Sequence, residues 1–287
     1  MPLLQSHSSL IEAQSKKYAI GAFNIVDENT SAAVVAAAND LNVPVIIQTS
    51  VKTVEWFGPD EIACWIRTIA EKSAVSVSLN LDHCRSFDMI KKCVAAGWTD
   101  VMFDGSHLPF EENIRSTAEV VEYAHSHGVG VEGELGAIAG VEDDISVAKS
   151  VLTNPDDAEQ FVSETGVDVF APAIGTAHGM YSADPVIEFD LLAGIVRRIS
   201  TPVAIHGGTG LSPETIRKLI RLGGAKINVS TAIKQTFQAA VNGDAEAMKN
   251  GEPLEVIKRV FDDVRETAKS LMVLFTETGR SSEMSYE

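Results

Sequence analysis

The 287-residue chain predicts a single (β/α)8 TIM barrel with an extra C-terminal helix. Three observations point there. Short β-rich runs alternate with longer polar–apolar helical stretches, as a parallel sheet covered by helices requires. The runs number eight, the count that closes a barrel, whereas an open doubly wound sheet is the alternative. Polar residues gather at the C-terminal ends of successive runs, namely Asn24, Asp82-His83, Asp104, Glu134, His178, His206 and Asn228, and a barrel turns all of these toward one mouth.

The strands are expected at residues 18–24, 44–49, 75–82, 100–104, 130–135, 168–172, 202–206 and 225–229. Each is a near-continuous apolar run, as strands buried on both faces require. Helices are expected at 29–40, 59–72, 86–96, 110–127, 155–165, 190–199, 213–222 and 231–240. Start signals such as Asn154-Pro155-Asp156 and Ser212-Pro213-Glu214 put Pro in the first turn. Gly97, Gly128, Gly166 and Gly223 supply stops. A further helix is expected at 252–275, followed by a frayed tail. No Pro/Gly/Ser-rich linker divides the chain, so one domain spanning 1–287 is expected.

Composition excludes several classes of partner. With 40 acidic and 23 basic residues the formal charge is −17, a field that repels nucleic acid and anionic membranes. The same field repels phosphorylated sugars, so any phosphate site must be built locally from backbone N–H groups and a metal. Cys64, Cys84 and Cys93 are too few, and odd in number, for a disulfide framework, which fits a reducing cytoplasm. The N-terminus lacks a basic segment followed by an apolar one, and no run approaches ~18 apolar residues.

His83, His178 and His206 each sit at a strand end beside Gly or Asp. Catalytic zinc takes three protein ligands and keeps a fourth position open, so the three predict a metal site. A lone His in such a place reads as a hydrogen-bonded rim residue. His107, His125 and His127 lack this setting, and the last two close a helix, where cations suit the dipole. Asp82 is open to two readings: a helix cap or a partner that orients a ligand, or an acid/base beside the metal. The segment 131–144 carries Glu134 at a strand end and Glu142 after a Gly-rich stretch. Such a loop can carry Glu142 over the mouth as a lid; a fixed acidic loop is the alternative. Gly179, the turn Gly207-Gly208-Thr209-Gly210 and Asn228-Val229-Ser230-Thr231 each open toward a helix, where backbone N–H groups hold anions. A metal-dependent enzyme acting on a phosphorylated substrate follows; a metal-dependent hydrolase would not need such turns on both late strands.

On the motifs Gly21-Ala-Phe-Asn24, Leu81-Asp-His83, Val101-Met-Phe-Asp-Gly-Ser-His-Leu-Pro109, Val131-Glu-Gly-Glu-Leu-Gly136 with Glu142-Asp143, Ile174-Gly-Thr-Ala-His-Gly179, His206-Gly-Gly-Thr-Gly-Leu211 and Lys226-Ile-Asn-Val-Ser-Thr231, the chain resembles the class II, zinc-dependent ketose-bisphosphate aldolases over nearly its whole length. It looks closest to the shorter, tagatose-bisphosphate-like branch. The resemblance implies a lyase that splits a phosphorylated ketose reversibly into dihydroxyacetone phosphate and an aldehyde. It assigns zinc to His83, His178 and His206, and an alternative, substrate-free metal position to Asp104 and Glu134. Asp82 matches the residue that moves the proton at the aldehyde oxygen, and Glu142 the loop acid that takes the carbon-bound proton. Asn24, Gly179, Gly207, Gly208, Thr209, Asn228, Val229, Ser230 and Thr231 match substrate and phosphate contacts. A monovalent cation (Na+ or K+) beside the phosphate loops, a homo-oligomer (dimer or tetramer) and a cytoplasmic setting are implied as well.

Three departures stand out. Thr209 replaces a common Ser, keeping the hydroxyl. Ser230-Thr231-Ala232 lacks the acidic residues of fructose-bisphosphate-type members, leaving the ketose epimer open. Gly251-Glu-Pro-Leu254 stands where relatives carry Asp-Pro-Arg, whose Arg reaches the second phosphate; Arg259 and Arg280 are the candidate substitutes. The alternatives are therefore an aldolase for a ketose 1-phosphate, or a non-catalytic sugar-phosphate-binding accessory subunit.

Overall fold

The computed structural model describes residues 3–142, 145–147, 150–179, 185–243 and 252–283. Along the chain run α1 (His7–Lys16), β1 (Ile20–Asn24), α2 (Glu28–Leu41), β2 (Val45–Ser50), α3 (Val51–Phe57), α4 (Pro59–Glu71), β3 (Val77–Cys84), α5 (Phe87–Ala95), β4 (Asp100–Phe103), α6 (Phe110–Ser126) and β5 (Gly130–Leu135). A hairpin, β6 (Ala139–Glu142) and β7 (Ile145–Val147), follows. Then come α7 (Pro155–Thr165), β8 (Val169–Pro172), β9 (Ala177–His178), α8 (Phe189–Val196), β10 (Val203–Ile205), α9 (Pro213–Leu222), β11 (Gly224–Val229), α10 (Thr231–Asn242) and α11 (Pro253–Glu283).

Strands β1, β2, β3, β4, β5, β8, β10 and β11 close an eight-stranded barrel, β11 pairing back onto β1 with Ile20 opposite Lys226 and Phe23 opposite Val229. The expected fold stands. Local chemistry explains where its helices begin. Asp27 and Thr30 form a reciprocal capping box at α2, and Ser50, Ser86, Asn154 and Ser212 cap α3, α5, α7 and α9.

Side-chain alternation divides each strand between two environments. Ile47, Leu79, Val101, Phe170, Ile205 and Ile227 pack outward in the large core between barrel and helices. Ile20, Ala22, Ile46, Val169, Ala171, Ala204 and Ala225 form a second, inner cluster joined by Leu10 and Ala13 of α1. That helix is not expected from the sequence. Its apolar content is slight, and it is held through tertiary contacts. Ser6, just ahead of it, donates from N and Oγ to buried Asp100 at 3.2 and 2.8 Å.

Other elements differ from expectation. The segment after β5, expected as a loop, carries paired strands: β6 and β7 pair antiparallel and β6 pairs parallel with β9. The C-terminal helix does not fray at residue 276 but continues to Glu283. Met272 and Phe275 are buried, and Arg217 grips Glu277 through two hydrogen bonds of 3.1 and 2.9 Å. Among the described residues no helix is long and apolar enough to cross a membrane.

Candidate active site

The strand ends bring the expected histidines together. At β3 the register slips between Leu81 and Cys84, and His83 takes a left-handed backbone, φ 46°. That conformation costs a non-glycine residue about 1–2 kcal/mol. It turns Asp82 and His83, neighbours in sequence, toward the same centre. His83 Nε2 lies 2.8 Å from His206 Nδ1, and the His83 and His178 rings meet edge to face at 4.9 Å. One ligand atom from each of His83, His178 and His206 falls within 4.8 Å of the others.

A second group of the same kind is His83, Asp104 and Glu134. Both carboxylates approach the other ring nitrogen of His83, Nδ1, at 3.6 Å. Their environments push them apart. Burial drives the Asp104 carboxyl up, but His83, Ser106 and Arg85 more than offset it and hold it well below the usual range. Glu134 is raised well above its ordinary value by burial and by Asp104 beside it. Its Oε2 is buried and accepts no hydrogen bond.

These features fit a divalent cation. The donor set is imidazole and carboxylate in a buried pocket, two ring nitrogens face each other, and an oxygen lies unused. A cation here would supply the charge that lets Glu134 ionise. Three imidazoles with an open position suit zinc.

Asp82 is 1% exposed, and each of its oxygens takes one amide. Asn24 Nδ2 donates to Oδ2 at 2.9 Å, and Asn228 Nδ2 to Oδ1 at 3.2 Å. Behind Asn24, Gln48 Nε2 donates to its Oδ1 at 2.7 Å, and Asn80 Nδ2 donates to Gln48 Oε1 at 3.3 Å. Each amide fixes the orientation of the next. Asn24 and Asn228, expected to touch substrate, thus hold Asp82 first, while Asn228 Oδ1 is left without a partner.

Beside the histidines, His178, Gly179, Gly207, Gly208, Thr209, Asn228, Ser230 and Thr231 line one cavity. The expected phosphate residues therefore converge, with one qualification: the Val229 side chain is buried in the outer core, so only its backbone can face a ligand. Two glycines press on the short strand that carries His178. A Cβ on Gly140, at φ +116°, would lie 2.3 Å from the His178 carbonyl oxygen, and one on Gly207, at φ +69°, 2.4 Å from that of Ala177. The hairpin, the His178 strand and the turn after His206 are in backbone contact. Glu142 ends β6, but its side chain lies outside the described residues. The Arg280 side chain lies outside them too.

Sequence reasoning assigns no role to Gln48, Asn80, Glu132 or Lys226, all buried. Glu132 receives Lys226 Nζ at 2.6 Å and His206 Nε2 at 2.7 Å. Burial pushes its carboxyl up, yet Lys226 and His206 outweigh this and leave it at about 2, while burial lowers His206. The period of two could have found both: Glu132 with Glu134, and Lys226 with Asn228, are i, i+2 pairs on one strand face. Of the remaining histidines, His125 pairs with Asp168 at 2.7 Å, and His127 Nδ1 lies 2.9 Å from the Tyr123 carbonyl.

The class-II fructose-bisphosphate aldolase family model matches residues 5–280. A fructose-bisphosphate aldolase from Geobacillus stearothermophilus is 37% identical over 287 residues, covering 99% of this chain and all of that one. Among solved structures, the YdjI aldolase from Escherichia coli K12 superimposes with a TM-score of 0.85 at 31% identity, covering 97% of this chain and 99% of its own. A putative fructose-1,6-bisphosphate aldolase from Coccidioides immitis gives 0.89 at 26% identity, covering 96% and 98%. A family match along nearly the whole chain, on a closed barrel whose mouth gathers three imidazoles, two carboxylates and glycine turns, places this protein among the class II fructose-bisphosphate aldolases, a family of lyases.

Proposed function

We propose that the chain is a zinc-dependent aldolase, one catalytic unit over its whole length, that splits a phosphorylated ketose reversibly into dihydroxyacetone phosphate and an aldehyde. The observation that carries this reading is the convergence of His83, His178 and His206 beside a buried carboxylate, Asp82, whose two oxygens are each held by an amide. His83, His178 and His206 would hold a divalent cation, which would supply Lewis acidity at the ketose carbonyl, so no Schiff-base lysine is needed. Asp82 takes and returns the proton of the aldehyde-side oxygen, its orientation set by Asn24 and Asn228. Glu142 handles the proton at carbon. Separate groups suit the two tasks, because each must lie within hydrogen-bond reach of its own proton. Asp104 and Glu134 offer the cation an alternative position. Backbone N–H groups of Gly179 and Gly207 to Thr209, with Ser230 and Thr231, take the phosphate, so a chain of strongly negative charge needs no basic cluster there. These turns would also hold a monovalent cation, Na+ or K+.

Leu254 favours a second reading of specificity. It is 65% exposed in the first turn of α11, at the place where the family resemblance implies an Arg for the second phosphate. A ketose 1-phosphate never needs that contact. The working assembly is a homodimer or homotetramer in the cytoplasm, where free Cys64, Cys84 and Cys93 stay reduced. The deciding experiment is an aldol-cleavage assay of the zinc-loaded protein across fructose bisphosphate, tagatose bisphosphate and ketose 1-phosphates. Cleavage of at least one, abolished by chelation and restored by zinc, is expected. Binding of these sugars without turnover would mean a non-catalytic accessory subunit.

A further inference from the structure

Two charged residues lie inside the barrel, and the proposed chemistry has no use for them. Lys226 stands on β11 opposite Ile20 of β1 and Ala204 of β10, and Glu132 on β5 opposite Met102 of β4 and Val169 of β8. They are 1% and 3% exposed. Taking both ions out of water is costly, and an apolar pair of similar volume commonly serves stability as well or better. Stability alone does not explain why the barrel keeps them.

Their connections suggest the reason. Glu132 is saturated: Oε2 takes Lys226 Nζ at 2.6 Å, and Oε1 lies 2.7 Å from His206 Nε2. An ionised carboxylate only accepts hydrogen bonds, and at 2.7 Å Glu132 Oε1 lies closer to His206 Nε2 than the Asn228 amide nitrogen does at 3.2 Å, so the geometry puts the proton of the neutral ring on Nε2. The lone pair is then on Nδ1, which points at His83 Nε2 from 2.8 Å, into the centre of the imidazole cluster. Two residues further along the same strand face, Glu134 keeps Oε2 free of any hydrogen bond. One strand therefore presents two carboxylates to the same centre, one fully occupied and one with an open oxygen.

We propose that Glu132 and Lys226 are positioning residues for the metal centre. Glu132 fixes the His206 tautomer that offers Nδ1, and Lys226 locks Glu132 in that role and keeps its second oxygen from binding the metal. The proposal rests on the reading of His83, His178 and His206 as metal ligands. Partners of this kind set ring orientation, and their loss typically costs 10–100-fold in metal affinity.

The test measures zinc affinity by chelator competition on folded wild-type protein, Lys226→Met, Glu132→Gln and the double variant, with imidazole 15N NMR alongside. In wild type, His206 should carry its proton on Nε2 with and without zinc, and zinc should perturb Nδ1. Lys226→Met should bind zinc about 10–100-fold more weakly and show a mixture of His206 tautomers. The double variant should recover most of that loss, because the Gln oxygen still accepts from Nε2 and no charge is stranded. If Lys226→Met fails to fold, the wild-type spectra and the double variant still decide. Zinc on Nε2 of His206, or wild-type affinity in all the variants, overturns the proposal and leaves the metal centre standing. Zinc that perturbs none of the three imidazoles sinks the metal-centre reading itself.

Discussion

Removing the Asp82 carboxylate tests both the chemistry and the polar network around it. In Asp82→Ala two buried amide donors, Asn24 Nδ2 and Asn228 Nδ2, lose their acceptor at once. Each stranded donor costs about 1–3 kcal/mol, so the variant should be destabilised by roughly 2–6 kcal/mol. For a chain of this size 1 kcal/mol moves Tm by about 2–4 °C, which predicts a drop of roughly 4–24 °C. Asp82→Asn retains one acceptor oxygen and should lose about half as much. Neither change touches an imidazole, so zinc content should hold. Cleavage should fall by about 10²–10⁴-fold, the usual worth of a general acid–base group. Calorimetry, metal analysis and the cleavage assay read the three quantities separately. An Asp82→Ala protein that cleaves within a few-fold of wild type would refute the catalytic role. One that melts unchanged would refute the network.

Glu142→Ala should keep zinc and slow exchange of the carbon-bound proton of dihydroxyacetone phosphate by about 10²–10⁴-fold; unchanged exchange assigns that proton to another base. Gly140→Ala puts a Cβ against the His178 carbonyl in a left-handed conformation costing about 1–3 kcal/mol, so the β6–β9 pairing should part and zinc bind more weakly. Wild-type affinity in that variant would show that the hairpin and the His178 strand are independent. At the opposite end of the barrel, burial raises Asp100 to about 6 despite hydrogen bonds from Thr99 and Ser6. As pH rises from about 4, the unfolded chain ionises this group first. Folded stability should therefore fall by up to about 3 kcal/mol by about pH 7, each tenfold difference in proton affinity being worth about 1.4 kcal/mol. Asp100→Asn should lose that component, and an identical pH dependence in the two proteins would exclude it. Leu254→Arg should raise kcat/KM for a bisphosphate by about 10–100-fold, the worth of a charge-assisted contact of roughly 1.5–3 kcal/mol, and leave a ketose 1-phosphate nearly unchanged. A wild-type preference for bisphosphate of several orders of magnitude would mean that another cation, Arg259 or Arg280, already serves.

The elements of the barrel and the residues at its mouth are legible without any coordinates. Strand period, Pro and Ser at helix starts and glycine at stops are local signals, contained within a window of a dozen residues. So is the position of His83, His178 and His206 at strand ends, where a barrel must turn them to one side. How these groups are held is a matter of tertiary structure. The amides on Asp82 come from β1 and β11, and the chain Asn80–Gln48–Asn24 crosses three strands, so no single window contains it. Closing β11 onto β1 creates that arrangement. The same closure leaves Glu132 within reach of both Lys226 and His206, partners 94 and 74 residues away along the chain. Helix α1 is invisible to local patterns for a related reason: it is held mainly by Leu10 and Ala13 in the inner cluster and by Ser6 on Asp100, contacts that do not exist until the barrel does. Periodicity tells which face of a strand turns inward. It cannot tell which inward residues meet, because that depends on register and closure, and those are fixed by packing the whole sheet.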